Sequence, residues 1–290
     1  MASTAQWVEG ARPRTLPAAI APVAVGTGAA LGVGSGVGWK AVLALVVSLA
    51  LQVGVNYAND YSDGIRGTDA VRVGPFRLVG SGAARPETVR RAAFAAFGVA
   101  ALAGLALAVT SSWWLVAVGA GAIAAAWFYT GGPRPYGYAG LGELFVFVFF
   151  GLVAVCGTTY VQVGRITGES LLVAVPVGFL ACAILVANNL RDIPTDAATG
   201  KHTLAVRIGD SATRRLYAVL VLTSFAAPLV LAAGRHWWCL LAVAALPLAI
   251  PPVRIVTSGA AGRDLIAVLR DTGRLQLAYA VLLGIGLAIH

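Results

Sequence analysis

The chain is short of charge. Asp, Glu, Lys and Arg make up 11% of its 290 residues, 59% is hydrophobic, and mean hydropathy is +0.83. A soluble domain carries roughly 25% charged residues, so an exterior built for water is excluded and a bilayer is the solvent that fits. Cysteine is scarce as well. Cys156, Cys182 and Cys239 lie in apolar segments, without CxxC spacing and without a neighbouring histidine pair, which leaves no disulfide framework and no zinc site. A cleavable leader is not expected, because Met1 to Pro17 is polar, carries Glu9, Arg12 and Arg14, and precedes the first apolar run.

What is plentiful is apolar sequence. Runs at about 15–33, 39–58, 91–109, 113–129, 143–163, 170–190, 216–233, 237–257 and 275–289 predict nine transmembrane helices, each near the ~20 residues needed to cross a bilayer. The 35 glycines fit close helix packing in lipid. The expectation is an all-α membrane protein forming a single domain over residues 1–290.

The connections differ in length. Those at 34–38, 110–112 and 234–236 are short, and those at 59–90, 130–142, 191–215 and 258–274 are long. They alternate, so the long loops share one side. That side holds 18 of the 21 basic residues; only Lys40, Arg165 and Arg235 fall opposite. The positive-inside rule then places the N-terminus and the long loops in the cytoplasm and the C-terminus outside. The net charge of +9 does not point to nucleic acid, since the basic residues are spread along membrane-flanking loops. They suit topology, anionic lipid or an anionic substrate. Eleven of the twelve acidic residues also lie on this side, Glu169 being the exception, and the positive-inside rule does not require that.

Two polar clusters follow directly on apolar runs: Asn56 to Asp63, and Asn188 to Asp196. A carboxylate at the edge of hydrocarbon is costly unless a cation holds it. Asn56, Asn59, Asp60 and Asp63 are spaced i, i+3, i+4, i+7, which sets four oxygen-bearing side chains on one helical face. Asn188 or Asn189, with Asp192 and Asp196, approximates a second such face, and Pro194 is expected to kink or end its helix. Oxygen donors of this kind suit Mg²⁺, which takes one or two carboxylates together with waters and phosphate oxygens. The bland reading is a polar helix end with side-chain caps. Opposed carboxylates would repel without metal, so a divalent ion carrying a diphosphate is the chemistry that fits both clusters. Four apolar runs separate the clusters, so both emerge on one face, as a duplicated four-helix unit would arrange them.

Arginine and lysine stand nearby. Arg72 and Arg77 lie in the loop after the first cluster, Lys201 follows the second, and Arg134 sits in the 130–142 connection; each suits phosphate oxygens. Tyr129 and Tyr138 suit either an aromatic pocket or interfacial anchoring. His202 reads as a loop residue.

At these residues the chain resembles the UbiA superfamily of intramembrane prenyltransferases. Asn59, Asp60 and Asp63 match its first acidic motif, although Gly67 stands at the third aspartate's place and Asp69 follows two residues on. Asp192 and Asp196 match the second motif, Asp-x-x-x-Asp. Arg12 to Pro17, Asn56 to Asp69, Arg134 to Glu143 and Gly200 to Leu204 resemble the menaquinone-pathway branch, whose members prenylate 1,4-dihydroxy-2-naphthoate with decarboxylation to give demethylmenaquinol. The resemblance implies nine helices around a central cavity, with a cytoplasmic cap from loops 59–90 and 191–215. It implies an enzyme of a bacterial cell membrane, a polyprenyl diphosphate donor and two or more Mg²⁺ ions. Asp60, Asp63, Asp192 and Asp196 would hold the metal, supported by Asn56, Asn59 and Asn189. Asp69, Arg72, Arg77, Arg134 and Lys201 would meet the diphosphate, and Tyr129 and Tyr138 would shield an allylic cation. Pro133 stands where the family has a lysine, and Arg134 is assigned its charge. Rival readings are another aromatic acceptor (4-hydroxybenzoate, homogentisate or haem) and a cation transporter. A transporter would place its site near the bilayer midplane, and both clusters here adjoin basic loops at one membrane face.

Overall fold

The computed structural model describes residues 2–67 and 76–289, and all of its regular secondary structure is helical. Asp69 and Arg72 lie outside the described residues. A short helix α1 (Thr4–Gly10) is followed by α2 (Pro17–Gly32), α3 (Gly38–Ile65), α4 (Pro86–Thr110), α5 (Trp114–Phe128), α6 (Gly142–Val163), α7 (Gly168–Ala198), α8 (Leu204–Ala233), α9 (Trp237–Thr257) and α10 (Asp264–Ala288). A helix therefore stands at each of the nine apolar runs. Six of them are long and apolar enough to cross a membrane, and seven if the bent pair Thr4–Thr15 and Pro17–Gly32 counts as one span.

Local chemistry fixes the helix ends. Thr167 and Ser170 cap α7 reciprocally, each hydroxyl accepting the other's backbone N–H at 3.1 Å. Of the two outcomes expected at Pro194, a kink or an end, the helix does not end there; α7 runs through it to Ala198. The connection expected over 191–215 is accordingly short. Most of that stretch is the end of α7 and the start of α8, with the chain irregular around 199–203 and kinked again at Gly209, whose φ is 78°.

Small residues set the close approaches. A Cβ on Gly28 of α2 would stand 2.3 Å from the Gly284 carbonyl of α10, so these two backbones touch as only glycine permits. Buried hydroxyls in the core are paired: Tyr217 with Thr272 at 2.6 Å, and Tyr279 donating to the Ser224 carbonyl at 2.7 Å. Leu180, Leu275 and Leu283 pack around them, fully buried.

The two ends of the bundle differ. At one end Lys40 Nζ donates to the Thr110 and Val161 carbonyls and to Ser111 Oγ, tying α3 to the last turns of α4 and α6. Five of the seven tryptophans, Trp39, Trp113, Trp114, Trp237 and Trp238, are exposed beside the turns of that end, as in an interfacial aromatic belt. Both polar clusters lie at the other end.

Candidate active site

An apolar cavity of about 710 Å³ opens among α2–α7. Its polar end collects Asn56, Asn59, Asp63, Arg77, Tyr129, Tyr138, Asn189, Asp196 and Lys201 on one wall. Residues from both predicted clusters thus share one space. All four cluster aspartates are buried, at 1–6% exposure, so each needs partners.

Asp63 is gripped from three segments. Lys201 Nζ donates to its Oδ1 at 3.0 Å, Tyr138 OH donates to the same oxygen at 2.5 Å, and Arg77 Nη2 stands 3.6 Å from Oδ2. Lys201 arrives there because α7 ends in a Schellman turn. Gly200 takes φ 72°, its N–H donates to the Ala197 carbonyl, and the Lys201 N–H donates to the Asp196 carbonyl at 2.9 Å. The turn throws the lysine back across the cavity mouth, 4.6 Å from the Tyr138 ring centroid. Burial first, then the Asp63 charge, hold the Tyr138 phenol above its ordinary range, which keeps it a hydrogen-bond donor.

The rest of the first cluster anchors the surrounding chain. Asp60 Oδ2 and Oδ1 accept the backbone N–H groups of Leu78 at 2.7 Å and Val79 at 3.0 Å, which closes the loop that carries Arg77. Asn56 Nδ2 donates to the Ala11 carbonyl at 2.9 Å and to Thr15 Oγ1 at 3.0 Å, and so ties down the N-terminal segment. Asn59 Oδ1 accepts Thr130 Oγ1 at 2.8 Å and fixes the middle connection.

In the second cluster Asp196 and Asn189 reach the wall. Asp192 forms a bidentate pair with its neighbour Arg191, at 2.7 and 2.8 Å. Asp60 and Asp192 sit beside the wall rather than in it. Arg134 is exposed and off the wall, and the cationic residues that line the cavity are Lys201, Arg77, Arg12, Arg14 and Arg191.

Three of the positively charged residues escaped the sequence reading. Arg191 lines the cavity, and its buried Nη1 has no hydrogen-bond partner among the described residues; its only signal was its place inside the second cluster. Arg66 donates to the Thr130 and Gly132 carbonyls and covers the Tyr138 ring at 5.3 Å. Arg12 lines the cavity with φ 54°, a left-handed conformation uncommon outside glycine. His202 is exposed; its backbone N–H joins the Tyr138 carbonyl at 3.0 Å.

The donor set suits a hard divalent ion. Among the described residues no three His, Cys, Asp or Glu side chains form a ready cage. Asp63 and Asp196, with asparagine oxygens beside them and cationic groups around them, match an ion that also needs phosphate oxygens. Away from these groups the wall is apolar and aromatic, with Tyr136, Phe145 and Phe149 along α6 and the segment before it.

Residues 19–269 match the UbiA prenyltransferase family. A 1,4-dihydroxy-2-naphthoate octaprenyltransferase of Mycobacterium tuberculosis is 59% identical over 97% of this chain and 96% of its own. The protein of that description from Mycobacterium leprae is 56% identical over 97% and 95%. Among solved structures, a UbiA homologue from Archaeoglobus fulgidus bound to GPP and Mg²⁺ superimposes with a TM-score of 0.60 at 15% identity, covering 96% of this chain and 99% of that one.

Proposed function

The chain belongs to the UbiA prenyltransferase family, and from that premise we propose that it transfers a polyprenyl group from its diphosphate to 1,4-dihydroxy-2-naphthoate in menaquinone biosynthesis. The observation that carries the reading is the shared cavity, in which Asp63 from one cluster and Asp196 from the other face a common space rimmed by Lys201, Arg77 and Arg191. The single domain crosses the bilayer nine times, with the capped, charged end in the cytoplasm and the C-terminus outside.

Asp63 and Asp196 would hold Mg²⁺, with Asp60 and Asp192 behind them as the second members of the two motifs and Asn56 and Asn59 in support. Bound there, the metal would supply Lewis-acid stabilisation of the leaving diphosphate. Lys201 and Arg77 turn from Asp63 to the phosphate oxygens, and the unmatched Nη1 of Arg191 adds a donor. The allylic C–O bond breaks and its electrons leave with the diphosphate. The apolar wall keeps water from the cation, while Tyr129 and Tyr138 present π faces to it. The ring carbon bearing the carboxylate bonds to the prenyl carbon. Carbon dioxide then departs, leaving its bonding electrons in the ring, so the exchange of carboxylate for prenyl needs no net proton. The long apolar cavity holds the polyprenyl tail.

Asp63→Asn and Asp196→Asn test this assignment. Both variants are expected to stay folded in detergent and to lose prenyl transfer; full turnover in either one rejects the metal roles.

A further inference from the structure

Glu143 is an acidic residue for which the transfer scheme has no task. Its carboxyl Oε1 accepts a hydrogen bond from Asn189 Nδ2 at 3.0 Å. Its other oxygen, Oε2, is buried and has no hydrogen-bond partner among the described residues. A carboxyl oxygen buried without a partner is costly and calls for a reason beyond packing.

The contact settles which way the Asn189 amide faces. A carboxylate only accepts, so the NH₂ group must point at Glu143 and Oδ1 must point away from it. No hydrogen bond among the described residues reaches Oδ1, and Asn189 lines the cavity. The cavity is therefore offered a fixed acceptor atom, which matches a hydroxyl donor or a cation and not a phosphate oxygen.

The surroundings match a flat aromatic ring. Tyr129, whose phenol is within electrostatic reach of Glu143, Asp63 and Asp196, meets Tyr136 edge-on at 5.5 Å. Tyr136 stacks on Phe145 at 4.0 Å, and Phe145 continues to Phe149 at 6.2 Å. Phe145 of this aromatic row follows Glu143 by two residues in the chain.

Resting on the transfer reading above, we propose that Asn189 Oδ1 binds a hydroxyl of the aromatic acceptor, and that Glu143 is the positioning residue that holds the amide in that orientation. The acceptor ring then lies on the Tyr136–Phe145 face, with its reactive carbon turned toward the diphosphate end. A ring without a hydroxyl finds no partner for Oδ1, so the pair also selects phenolic acceptors.

Steady-state kinetics on the full-length protein in detergent test the idea. Glu143→Ala is expected to raise KM for 1,4-dihydroxy-2-naphthoate about tenfold, the worth of one hydrogen bond, and to leave KM for the polyprenyl diphosphate unmoved. Glu143→Gln, whose amide oxygen still accepts from Asn189, should recover most of the loss. An acceptor with the contacting hydroxyl methylated should bind the wild type poorly and lose nothing further in Glu143→Ala. Should Glu143→Ala fail to fold, Asn189→Ser reads the same split between the two KM values. An unchanged acceptor KM, an equal rise in both KM values, or a Gln variant as impaired as Ala overturns this inference alone when the wild type turns over. A wild type inactive with 1,4-dihydroxy-2-naphthoate overturns the transfer reading as well.

Discussion

Lys201 shows how a single side chain becomes part of a site through the backbone that carries it. The αL turn at Gly200 aims it at Asp63, and both groups are buried. A charge-assisted hydrogen bond to phosphate is worth about 1.5–3 kcal/mol. Lys201→Met is therefore expected to raise KM for the polyprenyl diphosphate roughly ten- to a hundredfold, with little effect on acceptor KM, in the same kinetic assay. At this scale the sequence was informative where spacing constrains direction: Asn56, Asn59 and Asp63 do reach one wall. It was silent where a partner comes from a distant segment. Nothing local to Asp60 says that its oxygens take the amides of Leu78 and Val79. Nothing local to Arg66 says that it serves the carbonyls of Thr130 and Gly132.

At the scale of elements, the apolar runs located every long helix, because a segment of some twenty apolar residues has few other uses. The ends were harder to place. Polar sequence from Arg191 onward reads as a loop when water is assumed to be its partner, yet Asp192 and Asp196 stay helical and turn toward protein groups. Hydropathy does not distinguish a polar helix facing a buried site from an exposed connection. Close helix approach was visible only as glycine abundance; the contact of Gly28 with Gly284 needed coordinates. Gly28→Leu should force α2 from α10 and destabilise the fold by about 1–3 kcal/mol or more, read as a lower midpoint of thermal unfolding in detergent. A midpoint equal to that of the wild type would show that the two helices can separate at no cost.

For the whole molecule, the polarity of the bundle is the feature that both descriptions share. The exposed tryptophans and Lys40 mark one end, while the acidic clusters and most of the basic residues mark the other. On the positive-inside rule we propose that this axis is oriented with the site toward the cytoplasm. Exposed His202 and Arg165 lie at opposite ends, and the native cysteines are buried. A membrane-impermeant maleimide should label His202→Cys in inverted vesicles only and Arg165→Cys in intact cells; the reverse pattern would turn the assignment over. In the proposed reaction one space serves diphosphate, metal and aromatic acceptor together. The most direct test of this is a transfer assay on the purified protein with Mg²⁺, a polyprenyl diphosphate and 1,4-dihydroxy-2-naphthoate. Prenylated, decarboxylated product is expected, abolished by chelation and restored by added Mg²⁺. No product with this acceptor, or product that survives chelation undiminished, would contradict it.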